Sequence, residues 1–287
     1  MTRARLVVAA AILAGCARHH DAARASVTDA RRIVSVSPST TEALFAIGDA
    51  DRVVGRSRYC DWPPEAAKIP VVGGFVDVDL EAVLELAPDL VVGATGPSSA
   101  RIEEKLGARG IATFFPATES LAAIDAMILG LGQRTNHLSD ATHVVGDVDA
   151  RVHAVERAVA GEPPPRVLLV LDVSPVMAAG PKSFVDELIA LAGATNVLSA
   201  GGPWQAVDLE QLAELAPEVV VDASGGHNAG ASRITPRAPG WEGVKAVREG
   251  HVVALNDERA LRPGPRVAEG LATLARALHP GAAIPSW

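Results

Sequence analysis

Short β-branched runs alternate along the chain with amphipathic segments. RIVSVS (32–37), RVVGRS (52–57), DLVVGA (89–94) and IATFFP (111–116) predict strands in the first half. RVLLVLD (166–172), NVLS (196–199), EVVVDA (218–223) and HVVALN (251–256) predict strands in the second half. Helical patterns sit between them: STTEALFAIG, LEAVLELA and SARIEEKLGARG, then SFVDELIALAG, LEQLAELA and WEGVKAVREG. Strand–helix alternation of this kind predicts an α/β fold in which parallel sheets are covered by helices.

The pattern is written twice. VDLEAVLELAPDLVV (Val78–Val92) and VDLEQLAELAPEVVV (Val207–Val221) share ten of fifteen positions. In each copy an aspartate, Asp79 or Asp208, is placed to cap a short helix. Leu80, Val83 and Leu84, and in the second copy Leu209, Leu212 and Leu215, form its apolar stripe. Ala-Pro ends the helix, since proline cannot continue it, and an apolar strand follows. TEALFAIGDADRVVG and VDELIALAGATNVLS echo each other as well. This is a duplication of two α/β lobes and not a solenoid, whose repeats are shorter and more numerous. Between the copies, residues 136–161 contain no proline and predict one long helix, a stiff connector between lobes. The division that follows is residues 31–135 for the first lobe, 136–161 for the connecting helix and 162–287 for the second lobe.

The N-terminus reads differently. Arg3 and Arg5 precede LVVAAAILAG, a run too short to span a bilayer, so residues 1–15 read as a signal peptide. Leu13-Ala14-Gly15-Cys16 resembles the bacterial lipobox, which implies cleavage before Cys16 and a lipid on its thiol; a plain secretory signal is the alternative. Residues 16–30 then form a lipidated tether, and the lipid is the only expected link to the membrane. Cys60 is the one cysteine left beyond it, so no disulfide can form within the mature chain.

Composition narrows the function. The 287 residues carry a net charge of −8 with no basic stripe, which argues against nucleic-acid binding. Aromatic residues make up 3% of the chain, so their positions are informative. In open parallel sheets ligands bind beyond the carboxyl ends of the strands. Tyr59, Trp62, Phe75 and Trp204 all fall in loops at such ends, where they suit a broad planar or apolar ligand. His137, His143 and His153 lack the spacing of metal ligands on one helix face and read as exposed. His227 lies in a glycine loop near the same strand ends. There is no G-x-S-x-G elbow, no H-E-x-x-H and no Walker lysine, so the chain is not read as an enzyme. GATGPSSA reads as a tight turn rather than an anion cradle.

SRYCDWPPEA, GGFVDVDLEAVLELAPDLVV, GGPW and RPGPRVAEGLATLARAL resemble the substrate-binding proteins that feed vitamin B12 to ABC importers. The wider class also serves haem and ferric siderophores. The resemblance spans about residues 31–279 and implies two lobes joined by a single long helix, with the ligand cleft between them. It implies that Tyr59, Phe75, Trp204 and Arg262 line a corrinoid cleft, with Trp62 beside them. It further implies that Glu81 and Glu210, one on each lobe, dock on basic residues of an ABC permease. The expected protein is a periplasmic monomer, anchored through its lipid, that delivers cobalamin without chemistry and needs no catalytic cofactor or metal. Haem or a ferric siderophore is the alternative ligand, with Tyr59 as axial ligand for haem. A siderophore would need cations, for which Arg56, Arg58, Arg259, Arg262 and Arg266 are candidates. A secreted α/β enzyme is the rival of another class. The chain departs from the resemblance at Ala94-Thr95, where the family often has a second tryptophan, at Phe75, where tryptophan is usual, and at Cys60.

Overall fold

The computed structural model describes residues 28–225 and 232–287. Cys16, His227 and the signal peptide lie outside them. In chain order the first lobe contains β1 (Ile33–Ser35), α1 (Pro38–Ala46), β2 (Val53–Arg56), α2 (Leu80–Glu85), β3 (Leu90–Val92), α3 (Ser99–Gly107) and β4 (Ala112–Phe114). Two helices follow, α4 (Leu121–Thr135) and α5 (Leu138–Val159). The second lobe holds β5 (Arg166–Val173), β6 (Val176–Ala179), α6 (Phe184–Leu191), β7 (Thr195–Asn196), β8 (Trp204–Ala206), α7 (Leu209–Glu214), β9 (Val219–Asp222), α8 (Lys245–Arg248), β10 (Val252–Ala254) and α9 (Val267–Leu278).

The first sheet has the order β2-β1-β3-β4 and is parallel throughout. The second has the order β10-β9-β5-β6-β8, with β7 also on β5. β10, β9, β5 and β7 run parallel, whereas β6 and β8 are antiparallel to their neighbours. This antiparallel edge is not visible in the alternation of strands and helices. β5 turns back on itself within a few residues at Ser174-Pro175, so no crossover helix marks the change of direction. The predicted strand 196–199 shrinks to the two residues of β7.

Strands buried on both faces split their side chains between two cores. Ile33, Leu90 and Val92 enter one apolar cluster, and Val34 and Val91 enter another on the opposite face. In β5, Val167 and Leu169 enter the first cluster, while Leu168 and Val170 enter a third. The first cluster is continuous from lobe to lobe. It joins Leu44 of α1, Met127 and Leu131 of α4, Val152 and Val155 of α5, Leu188 of α6 and Leu271 of α9. The 22 residues of α5 make a rod of about 33 Å that is part of this core and not a free linker. Among the described residues no helix is long and apolar enough to cross a membrane.

The duplication extends to details of the backbone. Ala87 and Ala216 precede the matching prolines, and both adopt φ +44°, the left-handed end of a helix whose next residue cannot be helical. Arg32 donates to the carbonyl oxygens of Leu86 and Ala87, and Arg166 donates to that of Leu215. Asp89 accepts the Arg31 and Arg32 amides and Glu218 accepts the Arg166 amide, so an acid after each Ala-Pro pins the first strand of its lobe. The capping aspartates differ. Asp79 accepts from the amides of Glu81 and Ala82, whereas Asp208 occupies the cap position without a side-chain bond. Val83 and Leu212, at matching places of the two stripes, are fully buried.

His137 departs from its expected exposure. It begins α5 half-buried, with Nδ1 2.8 Å from the buried Asp49 carboxylate, which also meets Arg52. His143 and His153 are exposed, as their spacing suggests.

One ion cluster joins the lobes. Glu42 projects from α1 with 2% of its side chain exposed, and it meets Arg266 at 2.6 Å and Arg262 at 3.2 Å from the second lobe. Arg262 also meets Asp61 at 2.7 Å and pairs with Glu258. Removing one partner from a buried pair strands the remaining charge. Glu42→Gln should therefore lower stability by about 3 kcal/mol, read as a lower urea midpoint.

A second junction has the opposite character. Asp125 of α4 is pushed up to about 6 by burial, reinforced by Asp149 of α5 and Glu187 of α6. Its value in the unfolded chain is near 3.8, so the folded state binds the proton more tightly. The stabilisation is complete below that unfolded value and is lost as pH rises through about 6. Asp125→Asn should raise stability at pH ~7.5 by roughly 1 kcal/mol once solvent screening is allowed for, with little difference near pH ~4. Urea midpoints at the two pH values test this, and an equal effect at both would contradict it.

Candidate ligand-binding site

The first sheet changes winding direction at β1, which has β2 on one side and β3 on the other, and a crevice opens beyond strands arranged this way. The loop after β1 is fixed by hydroxyls. Ser37 caps α1 and also accepts the Ala94 amide at 3.1 Å, which ties the loops after β1 and β3. Ser35, Ser37, Thr40 and Thr41 bond to one another in the buried base of this rim. Cys60 lies in the same base, fully buried, with its thiol pushed up by burial. It fills space beneath the loop and presents no sulfur to a ligand.

Above this base, Tyr59 stands 49% exposed. The Arg58 guanidinium lies 5.8 Å from its ring centroid and grips Asp77 through two hydrogen bonds of 3.0 and 2.9 Å. That bond holds Arg58 above and Asp77 below their ordinary values. It also clamps the turn 73–79, in which Gly73 has φ +107°, against the Tyr59 loop. Phe75 sits in that turn. Its ring lies against Gly96, where a Cβ would come within 2.5 Å, and Ser98 Oγ donates to its carbonyl. Tyr59 and Phe75 thus belong to one braced rim. The segment 95–98 serves as the tight turn that packs Phe75.

Trp204 belongs to the second lobe. It opens β8 opposite Ala179, 37% exposed, and its ring meets Phe184 edge-on at 6.0 Å. Burial pushes the nearby Glu119 carboxyl up, and Trp204 acts against that shift. Trp241, by contrast, is buried in the second lobe's core.

Trp62 and Arg262 come together at a third place, the seam between lobes. Asp61 and Trp62 from the first lobe and Asn256, Arg259, Arg262 and Arg266 from the second line a cavity of about 480 Å³. Trp62 is 43% exposed, and the Arg266 guanidinium lies 4.5 Å from its ring centroid. Burial opposes the Arg262 charge, yet Asp61 and Glu42 outweigh it and hold the group above the usual arginine value. Arg259 is raised likewise, by Asp257 and Glu269. Arg262 therefore stands in the seam as the centre of a carboxylate cage. Glu42, Asp61 and Glu258, which build that cage, are absent from the residues singled out in the sequence. Their signal was a lone acid in the apolar helix pattern TEALFAIG, answered by two arginines in RPGPR.

Glu81 and Glu210 are exposed in the first turns of α2 and α7, at matching places of the duplicated unit. Among the described residues no group of His, Cys, Asp and Glu is arranged to hold a metal ion.

Comparison with known proteins agrees with this architecture. Residues 33–258 match the model of the family described as periplasmic binding protein. The vitamin B12-binding protein of Yersinia pestis (strain Pestoides F) is 28% identical over 239 residues, 83% of this chain and 82% of its own length. The crystal structure of the periplasmic vitamin B12 binding protein BtuF of Vibrio cholerae superposes with a TM-score of 0.76 at 26% identity, covering 87% of this chain and 96% of that one. A periplasmic haem-binding protein from Pseudomonas aeruginosa gives 0.77 at 27% identity, covering 90% and 95%. With two α/β lobes on one connecting helix and a family match that spans both, the chain belongs to the periplasmic binding protein family.

Proposed function

We propose that this protein captures cobalamin or a related corrinoid in the cleft between its lobes and delivers it to an ABC importer permease, without a catalytic step. Tyr59, Phe75 and Trp204 are the aromatic walls in this reading, and Trp62 and Arg262 form the seam at one end. The observation that carries the choice of ligand is the state of the arginines. Arg58 is spent on Asp77, Arg259 on Asp257 and Glu269, Arg262 on Asp61, Glu42 and Glu258, and Arg266 on Glu42. Arg56 is buried and donates to the carbonyls of Ser57 and Ala67. Of these five arginines four are thus neutralised by carboxylates, and Arg56 is buried against main-chain carbonyls. Haem propionates and anionic siderophores need free cations, since desolvating a carboxylate without a partner is costly. The amide periphery of a corrinoid asks only for hydrogen bonds and apolar area.

The same-class alternative is haem, and the exposed Tyr59 phenol beside Arg58 favours it as a second reading. The two separate in one experiment. Purified mature protein should bind cyanocobalamin at about 1:1, and Trp204→Ala should weaken binding by roughly 1–3 kcal/mol, the scale of a buried aromatic contact. Calorimetry without heat for cyanocobalamin, together with a Soret shift on adding haem, would overturn the corrinoid reading.

Export and a lipid on Cys16 complete the proposal and place a monomer at the periplasmic face of a membrane. Glu81 and Glu210 are the docking carboxylates. Exposed carboxylates contribute little to folding, and at an interface they set orientation and encounter rate. The double variant with alanine at both positions should bind cyanocobalamin normally and melt at an unchanged temperature. It should fail to stimulate ATP hydrolysis by the reconstituted importer; stimulation equal to the parent at physiological salt would remove both residues from docking.

A further inference from the structure

A second cavity of about 350 Å³ lies on the flank of the seam. Its floor is apolar: Phe45 from α1, Val144 and Val148 from α5, and Pro265 just before α9. Trp62 forms one wall, with Arg266 over its ring. Arg151, also in the lining, lies 5.5 Å from the ring centroid of Trp287, so two of the four tryptophans in the chain stand beside arginines of this cavity. Volume, apolar floor and a few convergent polar groups are the marks of a small-molecule site.

Charge decides what class of molecule fits. Both arginines are spent: Arg266 pairs with Glu42 at 2.6 Å, and Arg151 with Glu269 at 3.3 Å. Asp147 on α5 lines the cavity, is exposed, and has no ion-pair partner among the described residues. The balance of the lining is one unneutralised negative charge at the rim of an apolar, indole-walled pocket. We propose that this cavity is a second binding site, on the flank of the ligand cleft and sharing the Trp62 wall with its seam, for a compact aromatic or aliphatic molecule carrying a single positive charge. The apolar body fills the floor beside Trp62, whose ring Arg266 already covers, and the cation meets Asp147 at the rim. Since α1, α5 and the segment 265–269 come from the first lobe, the connecting helix and the second lobe, the occupant touches all three and fixes their relation.

The test uses 2-naphthylmethylammonium, with 2-naphthylacetate as its charge-reversed match, in calorimetry and saturation-transfer NMR on the mature protein. Molecules of this size bind near ~1 mM when they fit. The ammonium should bind at least about tenfold more tightly than the carboxylate, a preference set by the unpaired Asp147. Two variants at exposed positions keep the fold intact. Ala46→Phe fills the cavity and should abolish binding, and Asp147→Lys should erase the preference for the cation. Both should bind cyanocobalamin as the parent does. Saturating cyanocobalamin should leave the ammonium bound, and the same titration on ligand-free protein stands even if cyanocobalamin itself does not bind. Absence of ammonium binding, indifference to Ala46→Phe, equal affinity for the carboxylate, or displacement by cyanocobalamin would each overturn the site.

Discussion

The buried carboxylate of Glu42 is the constraint on which the arrangement of the two lobes depends. It sits on α1 of the first lobe among apolar neighbours, where an unpaired charge would be intolerable. Its counterions arrive from the other lobe, Arg266 in a two-pronged grip and Arg262 beside it. The lobes can therefore separate only by exposing or stranding that charge. The pairing propagates outward. Arg266, so placed, covers Trp62; Arg262, so placed, holds Asp61 and its loop. Arg259 links Asp257 to Glu269, and Glu269 reaches Arg151 on α5. With α5 in the shared apolar core, the lobes are tied covalently, by packing and by charge at once. Small rotations fit such a molecule better than wide hinge opening.

The duplication shows which features a lobe of this kind needs and which are free to change. Retained in both copies are the left-handed alanine before proline, the arginine that satisfies the carbonyls at the helix end, and the acid that pins the first strand. Each answers a fixed demand: a helix stopped by proline leaves carbonyls without partners, and something must satisfy them. The aspartate cap, satisfied in one copy and open in the other, is cheaper to lose. The second lobe differs where it adds the antiparallel edge β6–β8. That addition supplies Trp204, so the departure from symmetry is also the source of an exposed aromatic on the second lobe.

The parallel strands, the lobe duplication and the long connector were legible because each rests on local pattern: β-branched runs, a copied segment, an uninterrupted stretch without proline. What was not legible depends on distant partners. α4 was not among the helices read from the sequence, and it carries two glycines with tertiary roles. Gly130 admits the Phe114 ring and Gly132 admits Ala141, contacts that only the fold reveals. His137 read as exposed because Asp49, its partner, lies 88 positions away. The candidate site divides in the same way. Trp204, also read in a loop, opens strand β8, whereas Tyr59 and Phe75 were legible as rare aromatics in loops. The caged state of Arg262 was not, since Glu42 and Asp61 lie 220 and 201 positions from it.

The distribution of charge suggests how capture and delivery coexist in one molecule. Arginines of the seam are neutralised by their own carboxylates, and the exposed Glu81 and Glu210 stand in the first turns of α2 and α7. In the reading proposed above, loading a neutral, amide-bearing ligand into such a cleft alters no charge at Glu81 or Glu210. A permease that meets the two glutamates would therefore feel the same electrostatic attraction from empty and loaded protein, and encounter rate alone could not distinguish them. In that reading discrimination comes from the distance and angle between the glutamates, which the lobes set. The Glu42 pairing and the α5 rod hold those quantities nearly constant, so a small change on loading is a large fraction of the whole range available. A rigid two-point contact converts such a change into a difference in fit, and the stiffness of the scaffold becomes part of the signal.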